Sequence, residues 1–184
     1  MKTVDAERDK TEGMQADHTK MPVVARLKSH VQSAAMSKPE HPTLLAPGFH
    51  NFTFSDMPNA FVTPFAFSHR RPMLLAGLKK FLDELTALAI RGDVWFDGSF
   101  VTEKIDPDDI DLVVVLDADS VSALTDQQQL SVQQLFDNPS SKAKYNCDVY
   151  CVLSTDVVWV SYWRGWFGFK RDGRTPKGIG CISL

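Results

Sequence analysis

No aromatic residue occurs before Phe49, and all 19 aromatics of the 184-residue chain follow from there. Residues 1–40 instead carry 13 charged residues of mixed sign. Without large apolar side chains such a stretch cannot offset the entropy of ordering. It is expected to be a disordered or weakly ordered arm, with a faint helical pattern at Val23–Val31 and the folded domain over residues 41–184. Long hydrophobic runs are missing too. The longest spans about five residues, against the roughly 20 needed to cross a membrane as a helix, and Met1 to Lys20 lacks the apolar core of a secretory signal.

Cysteine is scarce. Cys147, Cys151 and Cys181 form an odd set, which does not read as a disulfide framework, and no Cys/His spacing suits zinc. They are read as small buried apolar residues. An excess of positive charge is also absent: the net charge is −3, which argues against a general nucleic-acid-coating surface. The expectation is a cytoplasmic protein with no membrane partner. What is present, 43% hydrophobic and 23% charged residues, is ordinary globular composition.

From His41 to Phe67 proline, phenylalanine and turn residues predict an ordered but irregular wrap pinned to the core by its rings. A helix follows, with Pro72 in its first turn, an apolar face at Leu74, Leu78, Phe81, Leu82, Leu85 and Leu88, and Gly92 as its C-terminal cap. Short strands are expected at Val94–Phe96, Ile110–Leu116 and Tyr145–Leu153, with a helix over Thr125–Phe136 capped by Thr125 and Gln128. The segment "DVVWVSYWRGWFGF" is read as a helix or strand packed on the sheet, and "KGIGCISL" as a last strand. This order predicts an α/β (α+β) fold, a small mixed β-sheet flanked by helices.

The chemistry concentrates in "DGSFVTEKIDPDDIDLVVVL", residues 97–116. Residues two apart on a strand share a face, roughly 6–7 Å apart, so Asp109 and Asp111 project together while Ile110 and Leu112 enter the core. Asp148, inside the apolar run "NCDVYCV", joins them if its strand is a neighbour. Two like charges 4 Å apart repel by about 4 kcal/mol at an effective dielectric near 20. Three such carboxylates call for a counter-charge. Hard oxygen donors without His or Cys nearby fit Mg2+ or Mn2+, and two such ions can activate an attacking oxygen and stabilise a leaving pyrophosphate. Gly98 lets a backbone approach a ligand closely, and Ser99 with neighbouring N–H groups suits phosphate. Lys104 is a candidate to neutralise triphosphate charge, with a solvated loop residue as the alternative. Asp106 and Asp108 are read as loop residues meeting water, and Asp97 has no assigned role. Arg70 and Arg71 are read as solvated or acid-paired ahead of phosphate binding. In Tyr162–Lys177, five cations and one Asp alternate with aromatics. The aromatics are read first as core, and base stacking with phosphate neutralisation second, with Lys177 the member to test.

The pattern apolar-Gly98-Ser99, nine residues, Asp109-apolar-Asp111-apolar and a later lone Asp148 resembles the polymerase-beta-like nucleotidyltransferase superfamily. That resemblance implies NTP-dependent transfer of a nucleoside monophosphate, with ATP the expected nucleotide. Gly98 and Ser99 would hold the triphosphate, Asp109 and Asp111 two Mg2+ (or Mn2+) ions, and Asp148 the acceptor-side ion and the nucleophile. Over residues 41–184, "LLAPGFHNFTFSD", "HRR", "DGSFVTEK" and the terminal "RDGR" and "PKGI" are similar to a small bacterial family of single-domain nucleotidyltransferase-like proteins. Some such proteins lie beside toxin–antitoxin or phage-defence genes, which implies a toxin protein or tRNA as acceptor. Two alternatives stand beside this: a non-catalytic, antitoxin-like module that binds a nucleotide or partner, and a small-molecule transferase of the antibiotic-modifying kind.

Overall fold

The computed structural model describes residues 39–184, so the arm expected over residues 1–40, with its faint helix at 23–31, lies almost wholly outside the described residues. Five strands form one mixed sheet: β1 (Gly48–Asn51), β2 (Gly92–Asp97), β3 (Ile110–Leu116), β4 (Cys147–Leu153) and β5 (Gly178–Ser183). Their spatial order is β1-β5-β2-β3-β4. The outer pairs, β1–β5 and β3–β4, are parallel, and β2 runs antiparallel to both β5 and β3. Among the described residues six α-helices accompany them: α1 (Met57–Phe61), α2 (Arg70–Ala87), α3 (Ala118–Ser122), α4 (Asp126–Leu135), α5 (Asn138–Tyr145) and α6 (Val157–Gly168). The α/β reading with a mixed sheet holds.

Alternation along the strands sorts the core into two layers. Val94 and Phe96, with Ile110, Leu112 and Val114, face a large cluster completed by Leu74, Leu78, Phe81 and Leu85 of α2. Trp95, Val113, Val115 and Val152 face the other way and are covered by Trp163 and Phe167 of α6. Burying each such side chain contributes about 1.5–3 kcal/mol, and β3, an interior strand between β2 and β4, is apolar on both faces beyond Asp111. Phe96 lies across Gly180 in register, and a Cβ there would sit 2.0 Å from its ring. Only glycine lets that ring cross the strand.

Several local expectations change. The 41–67 wrap contains a true strand, β1, parallel to β5. Its rings do pin it: Phe52 packs on Phe61 and Phe96. Gly92 is not the cap of α2. Ala89 takes the left-handed turn at φ 56°, and Gly92 opens β2 with φ 152°, pressed against the Val115 carbonyl. Tyr145 ends α5 rather than starting a strand, because Asn146 breaks the chain direction at φ 56°. The ambiguous aromatic segment is helix α6, capped by Asp156 accepting from the Trp159 N–H at 3.2 Å. The Thr125–Gln128 capping box is formed. The cysteines are free thiols; Cys147 and Cys181 are buried and Cys151 is half-buried. Among the described residues no helix is long and apolar enough to cross a membrane.

Candidate active site, a row of carboxylates

Strand register builds the site. Asp97 of β2 stands opposite Asp111 of β3, and Asp111 stands opposite Asp148 of β4. All three share parity with Trp95, Val113 and Val152, so they lie on the α6 face of the sheet. Asp109 precedes β3 by one residue and has the same parity as Asp111. The β3–β4 neighbourhood on which the role of Asp148 depends is therefore present. Asp97, which had no role in sequence, completes the row.

Two lysines answer these acids. Lys177, just ahead of β5, forms an ion pair with Asp97, the two side chains being 14% and 5% exposed. Asp97 Oδ1 is buried with no hydrogen-bond partner among the described residues. Lys142 of α5 sets its Nζ 2.6 Å from Asp109 Oδ2 and 3.5 Å from Asp148 Oδ2. Nothing in the motif pointed to Lys142. Its signal was only its position in the last turn of a helix running into the strand of Asp148.

The fields are strong. Burial pushes Asp111 up to about 7, helped by the charges of Asp109, Asp97 and Asp148 and opposed by Lys177. Burial also raises Asp97 to about 6, against the pull of Lys177 and the Gly98 N–H. The Asp109 carboxylate, ahead of its own desolvation, lifts Lys142 above the ordinary lysine range, so its ammonium stays charged at neutral pH. Tyr150, two residues beyond Asp148 on the same face, has its hydroxyl pushed up to about 12 by burial and the nearby acids.

Gly98 sits against this row. Its φ is 82°, and a Cβ would fall 1.9 Å from Asp111 Oδ2, so glycine is required for both reasons. Gly98 and Ser99 open a short 3-10 turn over Gly98–Val101, and the Ser99 carbonyl accepts from the Thr102 hydroxyl at 2.8 Å. The glycine-serine turn and the acids are thus adjacent, as the motif requires.

Other expected residues are placed differently. Lys104 pairs with Asp108 at 2.8 Å, within the loop, and Asp106 accepts from Ser68 Oγ at 2.7 Å, so neither loop acid merely meets water. Arg71, expected to be solvated or acid-paired, is fully buried. Its five N–H groups donate to the carbonyls of Phe61, Phe100, Thr102, Lys104 and Ile105 at 2.6–3.2 Å. Arg70 donates to the carbonyls of Pro107 and Asp108. The arginine pair thus holds the loop.

Beside Asp111 and Asp148 lies a small cavity of about 80 Å³ walled by Tyr150, Tyr162, Trp163, Trp166 and Phe167. A wider groove of about 340 Å³ runs on the other flank of α6, with Arg164 and Lys177 in its lining. Trp163 and Phe167 are core, as first read, whereas Tyr162, Trp166 and Phe169 are exposed.

Among the described residues no three His, Cys, Asp or Glu side chains are gathered as a ready metal cage. The donor set itself suits a hard divalent cation, carboxylates alone, one of them with a buried oxygen lacking a partner, while the Lys142 ammonium competes for two of the others.

Neither a curated protein nor a solved structure matches the chain. A family model does, over residues 38–183, and the chain belongs to that family, DUF6932, a family of unknown function.

Proposed function

We propose that this chain is a magnesium-dependent nucleotidyltransferase that moves a nucleoside monophosphate from an NTP, ATP first, to a macromolecular acceptor. The observation that carries the reading is the register Asp97–Asp111–Asp148 across three strands, with Asp109 beside it and the positive-φ Gly98 against Asp111. Phosphoryl chemistry of this kind depends on positioning and charge neutralisation, and both are represented. Asp109, Asp111 and Asp148 would hold Mg2+ or Mn2+, which when bound neutralises developing charge on the triphosphate.

The chain's own residues have separate tasks. Gly98 and Ser99 bring backbone close enough to receive phosphate oxygens. Asp148 lies on an edge strand and is 23% exposed, so a bulky acceptor can reach it. It takes the proton of the acceptor hydroxyl as that oxygen bonds to the α-phosphorus. The α–β bridging P–O bond breaks and pyrophosphate leaves. The setting implied by the resemblance, a toxin–antitoxin or phage-defence pair in the cytoplasm, makes a toxin side chain or a tRNA the acceptor to try first. Incubation with each labelled NTP, Mg2+ and those acceptors tests the reading. Label transfer by wild type and its loss in Asp109→Ala/Asp111→Ala is the expected result, and equal labelling by both removes the catalytic assignment.

One observation favours a second reading, a non-catalytic binding module. Lys142 already supplies positive charge to Asp109 and Asp148. That reading expects nucleotide or partner binding without turnover, and biological activity that survives loss of the acid pair.

A further inference from the structure

Lys142 is held in place by more than its two ion pairs. It lies in the last turn of α5, and its carbonyl accepts from the Asn146 N–H at 3.0 Å. The Asn146 carbonyl in turn accepts from the Ile110 N–H at 3.2 Å, next to Asp109. The helix end is thus stapled to the start of β3 and runs directly into β4. On its far side, α5 is anchored to α2 through Glu84, which accepts from Lys144 at 2.7 Å and from the Tyr145 hydroxyl at 2.6 Å. The root of the Lys142 side chain is therefore fixed between the strand starts that carry Asp109 and Asp148.

Charge counting points the same way. Four carboxylates, Asp97, Asp109, Asp111 and Asp148, meet two ammonium groups, Lys177 and Lys142. With all four ionised, as on binding a cation, two negative charges remain, the charge of one divalent ion. Asp111 is the member of the four without an ion pair among the described residues, and its neighbour Asp97 has the buried unpartnered oxygen. We infer that the Lys142 ammonium takes the place of the acceptor-side cation between Asp109 and Asp148, so that the site loads one divalent ion, at Asp111, instead of two.

The inference rests on the nucleotidyltransferase reading for its expectation of two ions, but ion binding tests it without turnover. The full chain is titrated with Mn2+ alone, with free ion followed by electron paramagnetic resonance. Wild type is expected to bind one Mn2+ per chain. Lys142→Met, which removes the charge from a half-exposed side chain, is expected to bind two, and Lys142→Arg to return to one. Circular dichroism melts check that each variant is folded. A wild-type chain that binds two ions overturns the inference, as does a folded Lys142→Met that binds no more than wild type. A gain of one ion without label transfer from any NTP keeps this inference and removes nucleotidyl transfer. Label transfer by a wild-type chain that binds two ions does the reverse.

Discussion

Asp97 and Asp111 stand directly opposite each other in the antiparallel β2–β3 ladder, on the same face. Like charges at opposed positions destabilise a sheet, and here only Asp97 has a lysine partner. The fold therefore carries a repulsion that a proton or a cation relieves, and the way it is relieved is measurable.

In chelator-treated protein, stability is expected to fall as pH rises from 5 to 8. The sign follows from linkage: Asp111 is raised from the ordinary 3.8 to about 7, so the folded chain binds the extra proton between those values. The stability it contributes is complete below about pH 4 and lost as pH passes through about 7. Asp97, raised to about 6, acts in the same direction, and the row titrates as a set. Asp111→Asn should flatten the dependence of the thermal midpoint on pH and exceed wild type at pH 8. Identical slopes in the two proteins would disprove this origin.

Removing Lys177 strands a buried charge. Lys177→Met leaves Asp97, 5% exposed, without its counter-ion, which costs about 3–5 kcal/mol. The double variant Lys177→Met/Asp97→Leu should recover most of the loss, because the charge itself is gone. Urea denaturation of both singles and the double measures the coupling. Additive losses would mean the pair is not a unit.

Gly98→Ala tests the close approach. The new Cβ meets Asp111 Oδ2 at 1.9 Å and sits at φ 82°, so a stability loss of about 1–3 kcal/mol should accompany loss of label transfer. Gly173, at φ 64° with open space around it, provides the control. Gly173→Ala should be strained but retain transfer. If Gly98→Ala keeps full activity, the turn has no part in holding the triphosphate.

Arg71→Lys is expected to be far from conservative. An ammonium has three donors in place of five, leaving at least two of the five carbonyls unsatisfied at about 1–3 kcal/mol each. Chemical denaturation gives the size of the loss. A change below 1 kcal/mol would show that water replaces the missing donors.

The sequence made some of this legible because the signals are local. Period two placed Asp109 and Asp111 on one face, the apolar spacing of Leu74, Leu78 and Phe81 outlined α2, and the Thr125–Gln128 pair marked the start of α4. What stayed hidden depends on distant pairing. β1 has four residues and no clear alternation, and becomes a strand only through β5, some 130 residues away. Asp97 acquires its meaning from Lys177, 80 residues on. Lys142 belongs to no motif. Its relevance arises where α5 ends, at a left-handed Asn146 that the apolar pattern of Cys147–Leu153 concealed.

Arg71 gives the loop between Gly98 and Asp109 an unusual independence. Three of the five carbonyls it gathers belong to Phe100, Thr102 and Lys104, and a fourth to Ile105. The path of that loop is therefore dictated largely by main-chain atoms, gathered by Arg71 and its neighbour Arg70 at the start of α2. The exposed side chains of Glu103 and Ile105, unlike the paired Asp106 and Asp108, are released from any duty to shape it. Sequence drift there would alter what the loop offers to a visitor without moving the acids at its far end.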